Sequence, residues 1–129
     1  MPATPHPTEG ELALLRVLWA GAAPMSVREV HAVLSQQKDT AYTTVLKMLT
    51  IMADKGLVLR DDAQRTHTYR AVHAEPVVQA SLLKDLVRKA FSGSATALVQ
   101  RALDDAMTSP EELDAIAKLI ADAKKKRKT

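Results

Sequence analysis

The chain has 129 residues, 47% of them hydrophobic and 26% charged, with a net charge of +3 at neutral pH, which suits one compact domain or a small domain with an appendage. It holds no cysteine, and this excludes disulfides, thiol catalysis and thiolate metal sites. Aromatics are only 3%, so the core must be aliphatic, as packed helices allow.

The opening stretch MPATPHPTEGE lacks the basic segment and apolar run of a signal peptide, and no apolar run reaches membrane-spanning length. A cytoplasmic protein with no membrane partner is expected. Thr8-Glu9-Gly10-Glu11 is a capping-box pattern, and Leu12, Leu15, Leu18 and Trp19 follow it at helical spacing. Gly21 and Pro24 end this first helix. Ser26-Val27-Arg28-Glu29 is a second capping box, opening a helix whose inner face is Val27, Val30 and Leu34. His31 beside that face reads as a core-edge histidine. A third helix is expected from near Thr40, burying Val45, Leu49 and Met52, with Gly56 as its left-handed stop.

Residues 57–60 and 66–72 are short and rich in Leu, Tyr and β-branched side chains, and the polar turn at 61–65 makes them a hairpin. Beyond the hairpin the chain is helical again. Leu82, Leu83, Leu86, Val87 and Ala90 form one apolar stripe, interrupted by Ser92-Gly93-Ser94. Ala95, Leu98, Val99, Ala102, Leu103 and Ala106 form a second. Ser109-Pro110-Glu111-Glu112, with Pro at the first helical position, opens a last helix carrying Leu113, Ile116, Ala117 and Ile120 on one side. The fold expected is mainly α with a small β-hairpin: a winged helix-turn-helix over residues 1–74 and a helical dimerisation domain with a basic tail over residues 75–129. Three broad apolar stripes in a small helical unit leave area exposed in a monomer. The plainer answer is that the three helices fold onto each other; a homodimer built through Leu82, Leu86, Leu98, Val99, Leu103, Leu113, Ile116 and Ile120 covers the area more fully.

With Val45, Leu49 and Met52 turned inward, the third helix presents Thr43, Thr44, Lys47 and Thr50, with Tyr42 in its first turn. Short hydroxyls and a lysine at that place reach phosphates and base edges, and a threonine methyl packs on thymine. The plainer alternative is a solvated helix face. In the hairpin, Arg60, Arg65 and His67 surround the turn as candidates for the DNA backbone or minor groove. The alternative there is surface pairing with Asp61 and Asp62. Arg65 lies nearest the tip, while Arg70 beside Tyr69 reads as structural.

Charge argues for caution: residues 1–73 hold eight Lys/Arg against seven Asp/Glu, so any basic footprint must come from local placement. The near-neutral N-terminal half supports a rival reading, a winged helix used as a protein-interaction module without specific DNA binding. The tail Lys124 to Lys128 is either a source of non-specific attraction to DNA or a solvated terminus. Catalysis finds little support. The four histidines follow no metal-ligand spacing, and there is no Gly-rich phosphate loop or nucleophile elbow. No enzyme activity, metal or cofactor is expected, and a small hydrolase would need a polar pocket these residues do not supply.

Taken in order, Leu15 to Trp19 (L-x-x-L-W), Ser26 to His31 (SVREVH), Ala41 to Val45 (AYTTV), Lys55 to Val58 (KGLV), Arg65 to Tyr69, Phe91 to Ser94 (FSGS), Leu98-Val99 and Ser109 to Leu113 (SPEEL) resemble the penicillinase-repressor family of BlaI/MecI/CopY-type winged-helix transcriptional repressors. The resemblance spans roughly residues 8–122. It implies a homodimer on inverted-repeat, double-stranded operator DNA, with contacts from Tyr42, Thr43, Thr44 and Lys47 and a wing contact from Arg65 or its neighbours. Staphylococcal-type members are released by proteolysis at an Asn-Phe bond in the helix after F-x-G. The corresponding bond is here Arg101-Ala102, a different sequence, and it is the candidate cleavage position if a sensor protease is a partner. Copper-responsive members sense metal through C-terminal cysteines, which this chain lacks. Ile51 stands where the family commonly has an arginine, removing one phosphate contact.

Overall fold

The computed structural model describes residues 6–21, 23–105 and 108–128, and the chain divides into two compact units, Met1–Leu83 and Lys84–Thr129. In the first unit, helix α1 (Glu9–Ala20) opens on a reciprocal capping box. The Glu11 N–H donates to Thr8 Oγ1 at 3.2 Å, and the Thr8 N–H donates to Glu11 Oε1 at 2.8 Å. Leu15 and Leu18 are buried as the spacing predicts, joined by Leu14 and Val17. Leu12 and Trp19 are only half-buried, and the Trp19 indole N–H donates to the His73 carbonyl at 2.9 Å.

Strand β1 (Met25–Ser26) was not foreseen, since two residues carry no periodicity. Ser26 ends it and also caps helix α2 (Val27–Gln37), whose Glu29 completes the second capping box. Val27, Val30 and Leu34 face inward as expected.

Helix α3 (Tyr42–Asp54) begins two residues later than the sequence suggested. Thr40 is engaged outside the helix: its hydroxyl donates to the Lys38 carbonyl at 2.9 Å, and its own carbonyl lies 2.8 Å from His31 Nε2. Ala41 therefore stands at the N-cap, with no side-chain hydrogen bond. Val45, Leu49 and Met52 are fully buried. At the far end Gly56 has φ +81°. The Leu57 N–H donates to the Met52 carbonyl at 2.9 Å and the Gly56 N–H to the Ala53 carbonyl at 3.2 Å. These two bonds form a Schellman stop, with Met52 and Leu57 both in the core.

The ribbon follows at once. Strands β2 (Val58–Asp61) and β3 (Thr68–Ala71) pair antiparallel, with Arg60 opposite Tyr69 and Asp61 opposite Thr68. β1 adds to the other edge of β3, giving the order β1-β3-β2. Strand β2 is shifted by one residue from the expected 57–60, and β3 is shorter at both ends than the expected 66–72. Leu57 is taken by the helix stop, and Asp61 joins the ladder, which leaves 62–67 as the loop. The Asp61 carboxylate accepts the Ala63 N–H at 2.9 Å, a side-chain turn that does the work of the missing glycine. Tyr69 from β3 and Leu57 and Val58 beside it join the α1–α3 side chains in one core.

Helix α4 (Glu75–Ala90) begins where the chain leaves the sheet, near the expected parting at 74/75. Its first turns belong to the first unit, where Val78 is buried, so the division by packing falls inside the helix. α4 ends at two successive left-handed residues, Ser92 (φ +50°) and Gly93 (φ +84°). Helix α5 (Ala95–Asp104) follows, capped by Ser94, and helix α6 (Pro110–Arg127) opens on the expected Ser109–Glu112 capping box. No residue of α5 or α6 is buried. Ala106 lies outside the described residues. Among those described, no helix is long and apolar enough to cross a membrane.

Candidate nucleic-acid interface

Helix α3 is held at both ends by bonds outside itself, and this sets its outward face. At its start, His31 must carry a proton on Nε2, because the Thr40 carbonyl facing it only accepts. The His31 ring also meets the Tyr42 ring edge-on, with centroids 5.7 Å apart. At its end, Lys55 Nζ donates to Glu11 Oε1 at 2.7 Å. With the core residues turned in, Thr43, Lys47 and Thr50 are exposed together. The Thr50 hydroxyl donates back to the Leu46 carbonyl at 2.9 Å, so towards a partner it can only accept.

Thr44 and Tyr42 lie on opposite flanks of this face. Thr44 lines a cleft shared with Glu9, Gly10, Lys38 and Met48. Tyr42 and Leu46 line a different cleft of about 570 Å³ between α3, the start of α2 and the ribbon loop. Its other walls are Ser26, Val27 and Arg28 on one side and Arg65, Thr66, His67 and Tyr69 on the other. Tyr42, Arg65 and His67 are thus brought together, with Thr43 and Lys47 on the adjoining face.

Arg60 is not part of this grouping. It lines a separate hollow with Pro24, Asp61, Asp62 and Arg70, and its guanidinium is 2.8 Å from the Asp62 carboxylate. The Asp62 charge holds the Arg60 guanidinium above even its ordinary high value. His67 Nδ1 is 3.6 Å from the same carboxylate. Among the described residues, neither Arg65 nor Arg28 is held in an ion pair.

Arg28 and Leu46 were missed in the sequence. Arg28 was absorbed into a capping-box pattern, although the inward setting of Val27, Val30 and Leu34 already turns position 28 outward. Leu46 is an apolar residue on the non-core side of α3, and only its exposure in three dimensions separates it from the core set.

In the second unit, Leu86, Val99, Leu103, Leu113 and Ile120 are exposed, while Leu98 and Ile116 are half-buried. Leu82, also half-buried, falls in the first unit. Leu83 and Leu119 are exposed as well. Arg101 is exposed and Ala102 half-buried within α5.

Two helices joined by a tight turn, with the second followed by an antiparallel ribbon edged by a short third strand, define a winged helix-turn-helix protein. Residues 7–122 match the penicillinase repressor family. The chain is also similar to "Transcriptional regulator BlaI" of Mycobacterium tuberculosis, strains CDC 1551 / Oshkosh and ATCC 25618 / H37Rv. Each is 35% identical over 113 residues, which cover 87% of this chain and 80% of the relative. The chain belongs to the penicillinase repressor family.

Proposed function

We propose that the chain is a DNA-binding transcriptional repressor acting as a homodimer on inverted-repeat operators. In this reading α3 enters the major groove, the ribbon loop lies on the flanking backbone, and the protein acts by occupancy rather than by chemistry. The observation that carries it is that Tyr42 and Leu46 on α3 and Arg65 on the loop line one cleft, with Thr43 and Lys47 exposed on the adjoining face of the same helix. Arg65 is in no ion pair among the described residues. That arrangement supplies side chains for base edges and a cation for phosphate. The N-cap of α3, with no side-chain bond, suits a phosphate as well.

Dimerisation is supported by α5 and α6, which bury no residue in the single chain while exposing Val99, Leu103, Leu113 and Ile120. A two-fold partner matches the two-fold symmetry of an inverted repeat. Release by a sensor protease would cut Arg101-Ala102, and since that bond lies inside α5, cleavage requires local unwinding first. The cytoplasm is the proposed site of action.

Fluorescence anisotropy with inverted-repeat and scrambled duplexes at several salt concentrations tests the reading. A repressor favours the repeat and loses affinity steeply with salt. Equal and weak binding to both duplexes would instead favour the protein-interaction module.

A further inference from the structure

We propose that Leu46 reads the C5 methyl group of a thymine, with Tyr42 packed beside it, when this face of α3 enters a major groove. The inference rests on the DNA-binding reading above and extends it to a particular base and atom. Leu46 is 42% exposed and Tyr42 46%, and they stand one helical turn apart on the same side of α3. They form an apolar strip bordering a polar face of Thr43, Lys47 and Thr50. The core does not account for them, because Val45, Leu49 and Met52 already fill its side of the helix.

Charge indicates the occupant. Arg28 and Arg65 line the same cleft, and neither is held in an ion pair among the described residues. Two cations therefore stand beside the apolar strip of Tyr42 and Leu46, in a cleft whose remaining walls include the polar Ser26, Thr66 and His67. DNA offers the complement: phosphates on the outside and, among the base-edge groups of the major groove, the thymine methyl as the apolar feature. The His31 ring, edge-on to Tyr42, holds that part of the strip in place. Leu46 is left as the side chain free to settle on a base.

A random-sequence duplex pool is enriched on the full chain, and the winning duplex is remade with each thymine in turn replaced by uracil, which removes only the methyl. One thymine per half-site is expected at which uracil weakens binding about three- to five-fold, the worth of one buried methyl-sized group. The same replacement should be silent with Leu46→Ala and still felt with Leu46→Met, which keeps an apolar side chain if the alanine variant fails to fold. Uracil tolerated at every position, or a penalty unchanged in Leu46→Ala, overturns the assignment and leaves DNA binding standing. A pool that yields no enriched sequence overturns the DNA-binding reading, and this assignment with it.

Discussion

Lys55 Nζ lies 2.7 Å from Glu11 Oε1, tying the turn that ends α3 to the cap that starts α1. The same Glu11 oxygen accepts the Thr8 N–H. Burial pushes the Glu11 carboxyl up, but hydrogen bonds from Lys55 and Thr8 and the Lys55 charge outweigh it, so its pKa sits below the ordinary 4.5. A folded value below the unfolded one means the stabilisation is present above pH 4.5 and is lost as pH falls through the folded value. Glu11→Gln should cost about 1–2 kcal/mol near neutral pH, with the partly exposed lysine limiting the ion-pair share. Urea unfolding of both proteins from about pH 6 to about pH 3 should show the difference shrinking. A constant gap would show that the carboxylate's charge is not what stabilises the cap.

Arg65 and Arg60 should separate cleanly. Arg65 has no carboxylate partner among the described residues, whereas Arg60 is paired with Asp62. Arg65→Ala should weaken binding to all duplexes and reduce the slope of log affinity against log salt by about 1. Arg60→Ala should do less. Asp62→Ala, which frees Arg60, should strengthen binding at low salt. Lys47→Ala should cost about 1–3 kcal/mol on the preferred sequence and relax specificity if it reads a base. Titrations on specific and random duplexes report all four, and an equal loss on both for Lys47→Ala would assign it to the backbone.

Leu103→Asp tests the helical unit. Leu103 is exposed on α5 beside Val99, along a groove of about 450 Å³. A carboxylate there should split a dimer, since an unpaired charge buried in an apolar interface costs several kcal/mol. Sedimentation equilibrium should give monomer, and affinity for a two-half-site duplex should fall while that for a single half-site stays. A dimer of undiminished strength would move the interface elsewhere.

Gly56→Ala should destabilise by about 1–2 kcal/mol, because φ +81° is strained for any residue with a Cβ. Nothing lies within 4 Å of the added carbon, so the cost is one of backbone alone. Thermal unfolding measures it, and an unchanged midpoint would mean that the stop relaxes out of the left-handed region.

Much of the fold was legible because its signals are local. The capping boxes at Thr8, Ser26 and Ser109 and the 3.6-residue spacing of Val45, Leu49 and Met52 need only near neighbours. What escaped was long-range or too short to have a period. Strand β1 has two residues and exists only because β3 offers an edge. The Glu11–Lys55 pair spans 44 positions; in sequence the capping box already accounts for Glu11, and nothing local points Lys55 towards it. The sequence puts His31 at a core edge, and it is half-buried, but its bond to the Thr40 carbonyl depends on the path of the interhelical turn. In the candidate site, the sequence sets Arg65 apart from Arg60 only by its place nearer the tip. The Asp62 partner of Arg60 and the separate hollows the two arginines line are visible only in three dimensions.

The Schellman stop at residues 52–57 fastens α3 and the ribbon to one anchor, since Leu57 and Val58 sit in the same core as Leu49 and Met52. The root of the ribbon therefore moves with α3, and in the proposed reading the two meet a duplex as one body, with Arg65 on the exposed loop beyond it. In that reading a duplex whose groove width does not match must bend to fit, at a cost in free energy. That cost falls on base steps no side chain touches and varies with their stiffness. On the proposed reading, part of the discrimination between sequences would trace to a helix terminus that never meets a base.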